Sequence, residues 1–230
     1  MMSENIFYTK AAKYWANVPA TIDGVLGGYA HISDIDIAGS KAFLNDILAL
    51  KNGPGTKLAL DCGAGIGRIT QNLLITLFDK VDLVEQEARF LSAAKKRIGE
   101  NNERLGSLYH AGLQSFTPQK KYDVIWCQWV LGHLDDYDLI AFLNRCKRAL
   151  NTNGVIIVKE NITSGEEIEY DDEDSSVARP YRLMQLIFQE AQLDVIKEDL
   201  QYGFPDSIYK VYSFALVPKE VEKRSFLLTL

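Results

Sequence analysis

Short apolar runs and stretches of helical periodicity take turns along this chain. The run KLALDCG from Lys57 reads as a strand that ends in a glycine loop. The following RITQNLLITLF sets Ile69, Leu73, Leu74 and Leu77 on one helical face. KVDLVEQ reads as a second strand. ARFLSAAKKRIGEN reads as a helix whose Lys and Arg side chains gather toward its C-terminal end, where the macrodipole favours cations. SLYHAGL and YDVIWCQWV are the third and fourth strands, the latter apolar enough to be buried on both faces. LIAFLNRCKRAL is a helix with Asn153-Gly154 at its exit, and GVIIVKEN is a fifth strand. YRLMQLIFQEAQL is another helix, with Pro180 in its first turn, where a missing N–H costs nothing. DVIKEDLQYG and IYKVYSFALV close the pattern as an antiparallel pair.

Strands that alternate with helices imply a mostly parallel sheet covered on both faces. The expectation is an α/β fold. It is a Rossmann-like, doubly wound sheet of seven strands with a terminal antiparallel pair, plus an N-terminal helical cap. Residues 1–50, rich in aromatics and Gly, stand outside the alternation and read as a cap and lid of one or two helices. Residues 51–220 read as a single α/β domain. The tail, 221–230, reads as a disordered segment or a partner contact.

Composition adds little until charge is located. Hydrophobic residues are 47% and charged residues 24% of 230, an ordinary globular balance. The net charge is −6, but seven of the nine residues from Glu166 to Asp174 are acids. Without them, 24 acids face 25 bases, so the body is close to neutral and has no basic surplus of the kind direct nucleic-acid binding uses. Cys62, Cys127 and Cys146 form no CxxC pair, which fits buried thiols in a reducing compartment. The N-terminus lacks an apolar signal core and no run approaches the ~20 apolar residues a membrane span needs. A cytoplasmic protein is expected, with the nucleus not distinguished from it.

The glycine loop carries the first chemistry. It reads Asp61-Cys62-Gly63-Ala64-Gly65-Ile66-Gly67-Arg68. Ligands of such sheets sit beyond the C-terminal strand ends, where glycines let the backbone approach closely. A dinucleotide loop prefers G-x-G-x-x-G, whereas this one is G-x-G-x-G with Arg68 in the sixth place. Glu85 ends the second strand, where an acid accepts hydrogen bonds from a ribose diol, and Gln86 and Glu87 follow it. An acid, three alternating glycines and an acid after the next strand resemble the class I S-adenosylmethionine-dependent methyltransferases. A nicotinamide-dependent oxidoreductase is the alternative from a different class. The resemblance implies S-adenosylmethionine as cofactor (S-adenosylhomocysteine as product), held by Gly63, Gly65, Arg68, Glu85, Gln86 and Glu87. Leu113 and Gln114 of GLQSFTP would meet the adenine. Gln128, a buried amide that needs partners, would also face the cofactor. No metal is expected.

A narrower resemblance rests on segments that occur in order: YWANVPATIDGVLGGYAHIS, DCGAGIGRIT, GLQSFTP, QWVLGHL, KEN, DEDSSVAR and IYKVYSFAL. From about Tyr14 to Val217 the chain resembles the protein α-N-terminal methyltransferases. These modify the free amine of proteins that begin X-Pro-Lys, ribosomal proteins among them. The chemistry asks for a neutral amine, and an α-amine has a pKa of ~7.7–8.0, so a base must take its proton. The resemblance places His133 and Asp174 in that role and Asn161 at the first substrate residue. It also implies an indole face, Trp129, for the flat proline ring. Trp15 or Tyr209 would offer a cation–π contact of ~0.5–2 kcal/mol to the methylated ammonium. Asp171, Asp174 and Ser176 would surround the substrate lysine, and Leu26 would line the channel under a Leu26–Tyr29 lid. The chain departs from the family at Glu85, where Asp is common, at Pro180, and in a longer acidic segment before Asp171. A small-molecule acceptor is the alternative within methyl transfer.

Overall fold

The computed structural model describes residues 4–219; the expected tail at 221–230 lies outside the described residues. Three helices precede the sheet rather than one or two: α1 (Glu4–Asn17), α2 (Ile22–Val25) and α3 (Ser33–Leu48), with a 3-10 turn at Ala30–Ile32. Then come β1 (Leu58–Cys62), a π-helical turn at Thr70–Leu74 running into α4 (Ile75–Leu77), β2 (Lys80–Glu85), α5 (Ala88–Ile98) and β3 (Leu105–His110). They are followed by β4 (Tyr122–Gln128), α6 (Asp136–Arg148), β5 (Leu150–Thr163), β6 (Glu169–Asp171), β7 (Ser176–Pro180), α7 (Tyr181–Glu190), β8 (Leu193–Leu200) and β9 (Lys210–Pro218). Among the described residues no helix is long and apolar enough to cross a membrane.

The parallel order is β3-β2-β1-β4-β5, and β9 runs antiparallel to β5 with β8 on its outer edge. These seven strands are the expected sheet. Two further strands, β6 and β7, are the acidic segment folded into a hairpin, which raises the count to nine. The reason is the length of β5. β4 pairs with it up to Gln128↔Lys159, and β5 continues beyond that point. Its Ile162 pairs with Lys210 on the β9 side, so β7 takes the free edge vacated by β4, at Ile162↔Arg179 and Thr163↔Pro180. The acidic hairpin is thereby carried out over the carboxyl ends of the strands.

Alternation along β4 explains the two helical layers. Ile125 and Cys127 join Leu139, Phe142, Leu143, Ile187 and Phe188 of α6 and α7. Val124 and Trp126 point the other way, into Phe43, Leu44 and Ile47 of α3 and Leu91 and Ala94 of α5. All seven residues of β4 are buried, as its apolar run required. Two details differ from expectation. Asn153, with φ 62, lies within β5, where the pairing with β4 shifts register, and does not mark a helix exit. Pro180 caps α7 in an extended conformation and does not enter its first turn.

Candidate active site

A cleft of about 980 Å³, mouth included, opens at the carboxyl ends of β1, β2 and β4 and is roofed by α1 and α2. The glycine loop forms its floor. Gly63, Gly65 and Gly67 have φ of 66, 54 and 75, the left-handed region in which a side chain is strained. At Gly63 a Cβ would also lie 2.3 Å from Val130 Cγ2. Glu85, at the end of β2, accepts hydrogen bonds from Gly65 N at 2.9 Å and from Glu87 N at 2.8 Å. One bond falls on each oxygen, and an ionised carboxylate offers about four lone-pair sites, so a diol can still be accepted. Burial pushes the Glu85 carboxyl up, and the surrounding backbone N–H groups oppose that shift.

Gly63, Gly65, Arg68, Glu85, Gln86, Leu113, Gln114 and Gln128 all line this cleft, with Leu26, Trp15, Trp129 and His133 of the expected substrate and catalytic sets. Glu87 does not. Its carboxylate accepts from Arg89 N at 3.2 Å and caps α5, so its work is at the helix start. Gln128 lines the cleft, yet its amide is used by the protein: Oε1 accepts from Trp126 Nε1 at 3.1 Å, and Nε2 donates to both oxygens of Asp36 at 2.9 Å.

The sharp turn after β4 is built by Glu160. Its Oε1 accepts from Val130 N and Leu131 N, each at 2.8 Å, and Trp129 is left with φ 52. The Trp129 ring lies 5.5 Å from the Arg68 guanidinium, and its buried Nε1 has no hydrogen-bond partner among the described residues. His133 follows on a 3-10 turn. Its Nε2 accepts from Trp15 Nε1 at 3.0 Å, and its Nδ1 lies 3.3 Å from the Ser175 carbonyl. That pairing requires the neutral ring protonated at Nδ1. Burial lowers the His133 pKa, against the pull of Asp174. Asp174 Oδ2 stands 3.9 Å from His133 Nε2, and its buried Oδ1 has no partner among the described residues.

The remaining expected residues do not line the cleft. Asp171 and Ser176 face each other across the β6–β7 ladder, and Asp171 Oδ1 accepts from Glu173 N at 2.8 Å. Asn161 sits on β5 opposite Val211, just before the hairpin joins. Tyr209 OH donates to Glu169 Oε2 at 2.7 Å, tying the loop before β9 to the hairpin.

Several residues that shape the site escaped the sequence reading. Tyr8 and Ala11 of α1 line the cleft, and Tyr8 OH donates to Asp138 Oδ2 at 2.5 Å, which fastens the roof to α6. Arg145 donates to the carbonyls of Phe116, Leu113 and Gln114 at 2.7, 2.8 and 3.0 Å and so holds the loop after β3 in shape. Asp61, already legible as the acid that opens the glycine motif, lines the floor and accepts from Thr70 Oγ1 at 2.6 Å. Burial pushes its carboxyl up to about 7. The Tyr8 and Arg145 contacts span chain distances over which a local pattern carries no signal.

The family described as AdoMet dependent proline di-methyltransferase matches residues 3–217. The N-terminal Xaa-Pro-Lys N-methyltransferase 1 of Xenopus tropicalis is 51% identical over 213 residues, 91% of this chain and 95% of that protein. Its Homo sapiens counterpart is 50% identical over 217 residues, 93% and 96% of the two chains. A solved SAM-dependent methyltransferase from Leishmania major superposes with a TM-score of 0.85 at 39% identity and covers 91% of this chain and 82% of that one.

Proposed function

This chain belongs to the AdoMet-dependent proline di-methyltransferase family, and from that premise we propose that it methylates the free α-amine of proteins beginning Xaa-Pro-Lys. The observation that carries the proposal is Asp174 Oδ1, without a partner among the described residues and buried beside a neutral His133 where the strand ends meet the acidic hairpin. Relatives about 50% identical over nearly their whole length are named for that substrate.

The residues fit the cofactor group by group. Among the described residues lining the cleft, Arg68 is the one permanent cation, suited to the α-carboxylate. Glu85 has lone pairs left for the ribose diol. Leu113 and Gln114, on the loop held by Arg145, suit the adenine. When bound, S-adenosylmethionine supplies an electrophilic methyl carbon on its sulfonium.

The protein's part is to present a neutral amine in line with that carbon. Asp174 Oδ1 takes the ammonium proton. Both His133 nitrogens already have protein partners, so His133 and Trp15 together hold the wall and keep Asp174 company without accepting the proton. The indole of Trp129, fixed by the Glu160 turn, offers a flat apolar face to a proline ring. Asn161, on β5 one residue before the hairpin joins it, receives the first peptide group. Asp171 and Ser176 meet the compact ammonium of the third residue. Tyr209, bound to Glu169, closes the outer side, and Leu26 and the two glycines after it cover the channel.

We include ribosomal proteins that expose Xaa-Pro-Lys after loss of the initiator Met among the substrates, and a cytoplasmic setting. The family resemblance supports this, and three free, buried cysteines are consistent with a reducing compartment. The test is methyl transfer to an Xaa-Pro-Lys peptide and to the same peptide N-acetylated, followed by mass measurement. Mass gain on the free peptide alone is expected. Equal transfer to the acetylated peptide would overturn the α-amine assignment.

A further inference from the structure

Behind the cleft lies a buried ionic cluster that the methyl-transfer chemistry does not use directly. Asp36, on the first turn of α3 and fully buried, is its centre. Its Oδ2 accepts from Arg68 Nη1 at 2.7 Å, its Oδ1 from Lys159 Nζ at 2.6 Å, and both oxygens lie 2.9 Å from Gln128 Nε2. Lys159, also fully buried, donates in addition to Ser40 Oγ at 2.9 Å and Gln201 Oε1 at 2.8 Å. The helical cap, the glycine loop and two central strands therefore meet on one carboxylate, and Lys159 ties in the start of the loop before β9.

The cluster sets one carboxylate against two basic groups. Burial lowers the Lys159 pKa against the pull of Asp36, and Arg68 is the member that lines the cleft, where it also acts on the Asp61 carboxyl. A buried cation is stable only with partners, and removing one partner of such a pair leaves the other exposed to the full cost of desolvation. Lys159 has four acceptors in the protein: Asp36 Oδ1, the Asp36 carbonyl, Ser40 Oγ and Gln201 Oε1. Arg68 is the member open to the cleft, where an anionic ligand group adds a second acceptor to it. Orientation is set at the same point. Arg68 is held on one edge by Asp36 and on one face by the Trp129 indole. A guanidinium presents its donors in a rigid fork, so fixing one edge fixes the direction of the others.

We propose that Asp36 is a positioning residue for cofactor recognition: the Asp36 carboxylate, steered by Lys159 and Gln128, aims Arg68 at the carboxylate of the cofactor's amino-acid arm. This rests on the reading that Arg68 meets that carboxylate. The test is calorimetry with S-adenosylhomocysteine and with its decarboxylated analogue, which keeps the adenosine, thioether and amine. For the parent protein the analogue should bind at least tenfold more weakly. If the two bind equally, the Arg68–carboxylate reading itself fails, whatever Asp36 does.

With that difference established, Asp36→Asn should weaken S-adenosylhomocysteine at least tenfold and the analogue by less than twofold. Equal weakening of both ligands would make Asp36 a plain structural residue, and no weakening would leave it without a role; either overturns the proposal. Because Asp36→Asn takes the carboxylate from Lys159 as well as from Arg68, the double variant Asp36→Asn/Lys159→Met serves as a control without the second buried base, with folding checked by its melting temperature. The same selective loss is expected there. If the double variant recovers parental affinity, charge balance rather than the Asp36–Arg68 contact was responsible, and the proposal falls.

Discussion

Asp174 and His133 look interchangeable as bases when only their identities are known, since both are titratable and both sit in short polar segments. Their surroundings separate them. The His133 ring is closed at both nitrogens by Trp15 and the Ser175 carbonyl, whereas Asp174 keeps one buried oxygen without a partner among the described residues. Asp174→Asn keeps the shape and removes the base. It should lower kcat by ~10²-fold or more, within the span general-base catalysis contributes, while the Kd for S-adenosylhomocysteine moves by less than about threefold. Steady-state kinetics beside calorimetry would check this, and equal loss in both would mark Asp174 as structural. The residue types and their order were legible in the chain. The division of labour was not, because the bond that occupies His133 comes from Trp15, 118 positions away. Gln128 teaches the same lesson: a buried amide needed partners, and they turned out to be Trp126 and Asp36, within the protein.

At the level of elements, apolar runs located β1, β4 and β5 because burial on both faces leaves a continuous signal. The β8–β9 pair was equally visible. The acidic segment was not, since nothing in a run of carboxylates announces a strand. It becomes a hairpin because β5 outruns β4 and offers a free edge to β7. Ser175, with φ 58, lies just ahead of β7, and Tyr209 and Lys10 reach the hairpin's acids from outside. All three of Asp171, Asp172 and Glu173 are exposed, but strand geometry sets Asp171 opposite Ser176 while Asp172 and Glu173 lie in the turn. Asp171→Lys should therefore raise the KM of an Xaa-Pro-Lys peptide well above that of an Xaa-Pro-Glu peptide, relative to the parent. Replacing the substrate lysine by glutamate should hurt the parent enzyme more than the variant. Identical changes for the two peptides would mean the hairpin supplies only a diffuse field.

For the whole molecule, the buried acids set a pH dependence that neither composition nor net charge reveals. Asp61 lies under the glycine loop and Glu160 under the Trp129 turn, and burial pushes both carboxyls up to about 7. Between the ordinary carboxylate range and pH 7 the folded chain therefore holds protons that the unfolded chain has lost. Stability from these groups is fully present below their unfolded pKa values and disappears as pH rises through about 7. The architecture accepts this because the same oxygens close the turns that carry the site: Glu160 binds Val130 and Leu131, and Asp61 binds Thr70. Asp61→Asn removes one of these titrations and keeps an acceptor for the Thr70 hydroxyl. Without cofactor, the melting temperature of this variant relative to the parent should be more favourable at pH 8 than at pH 5. Melting curves of the two proteins that stay parallel across that interval would show that the Asp61 proton is not held in the folded state.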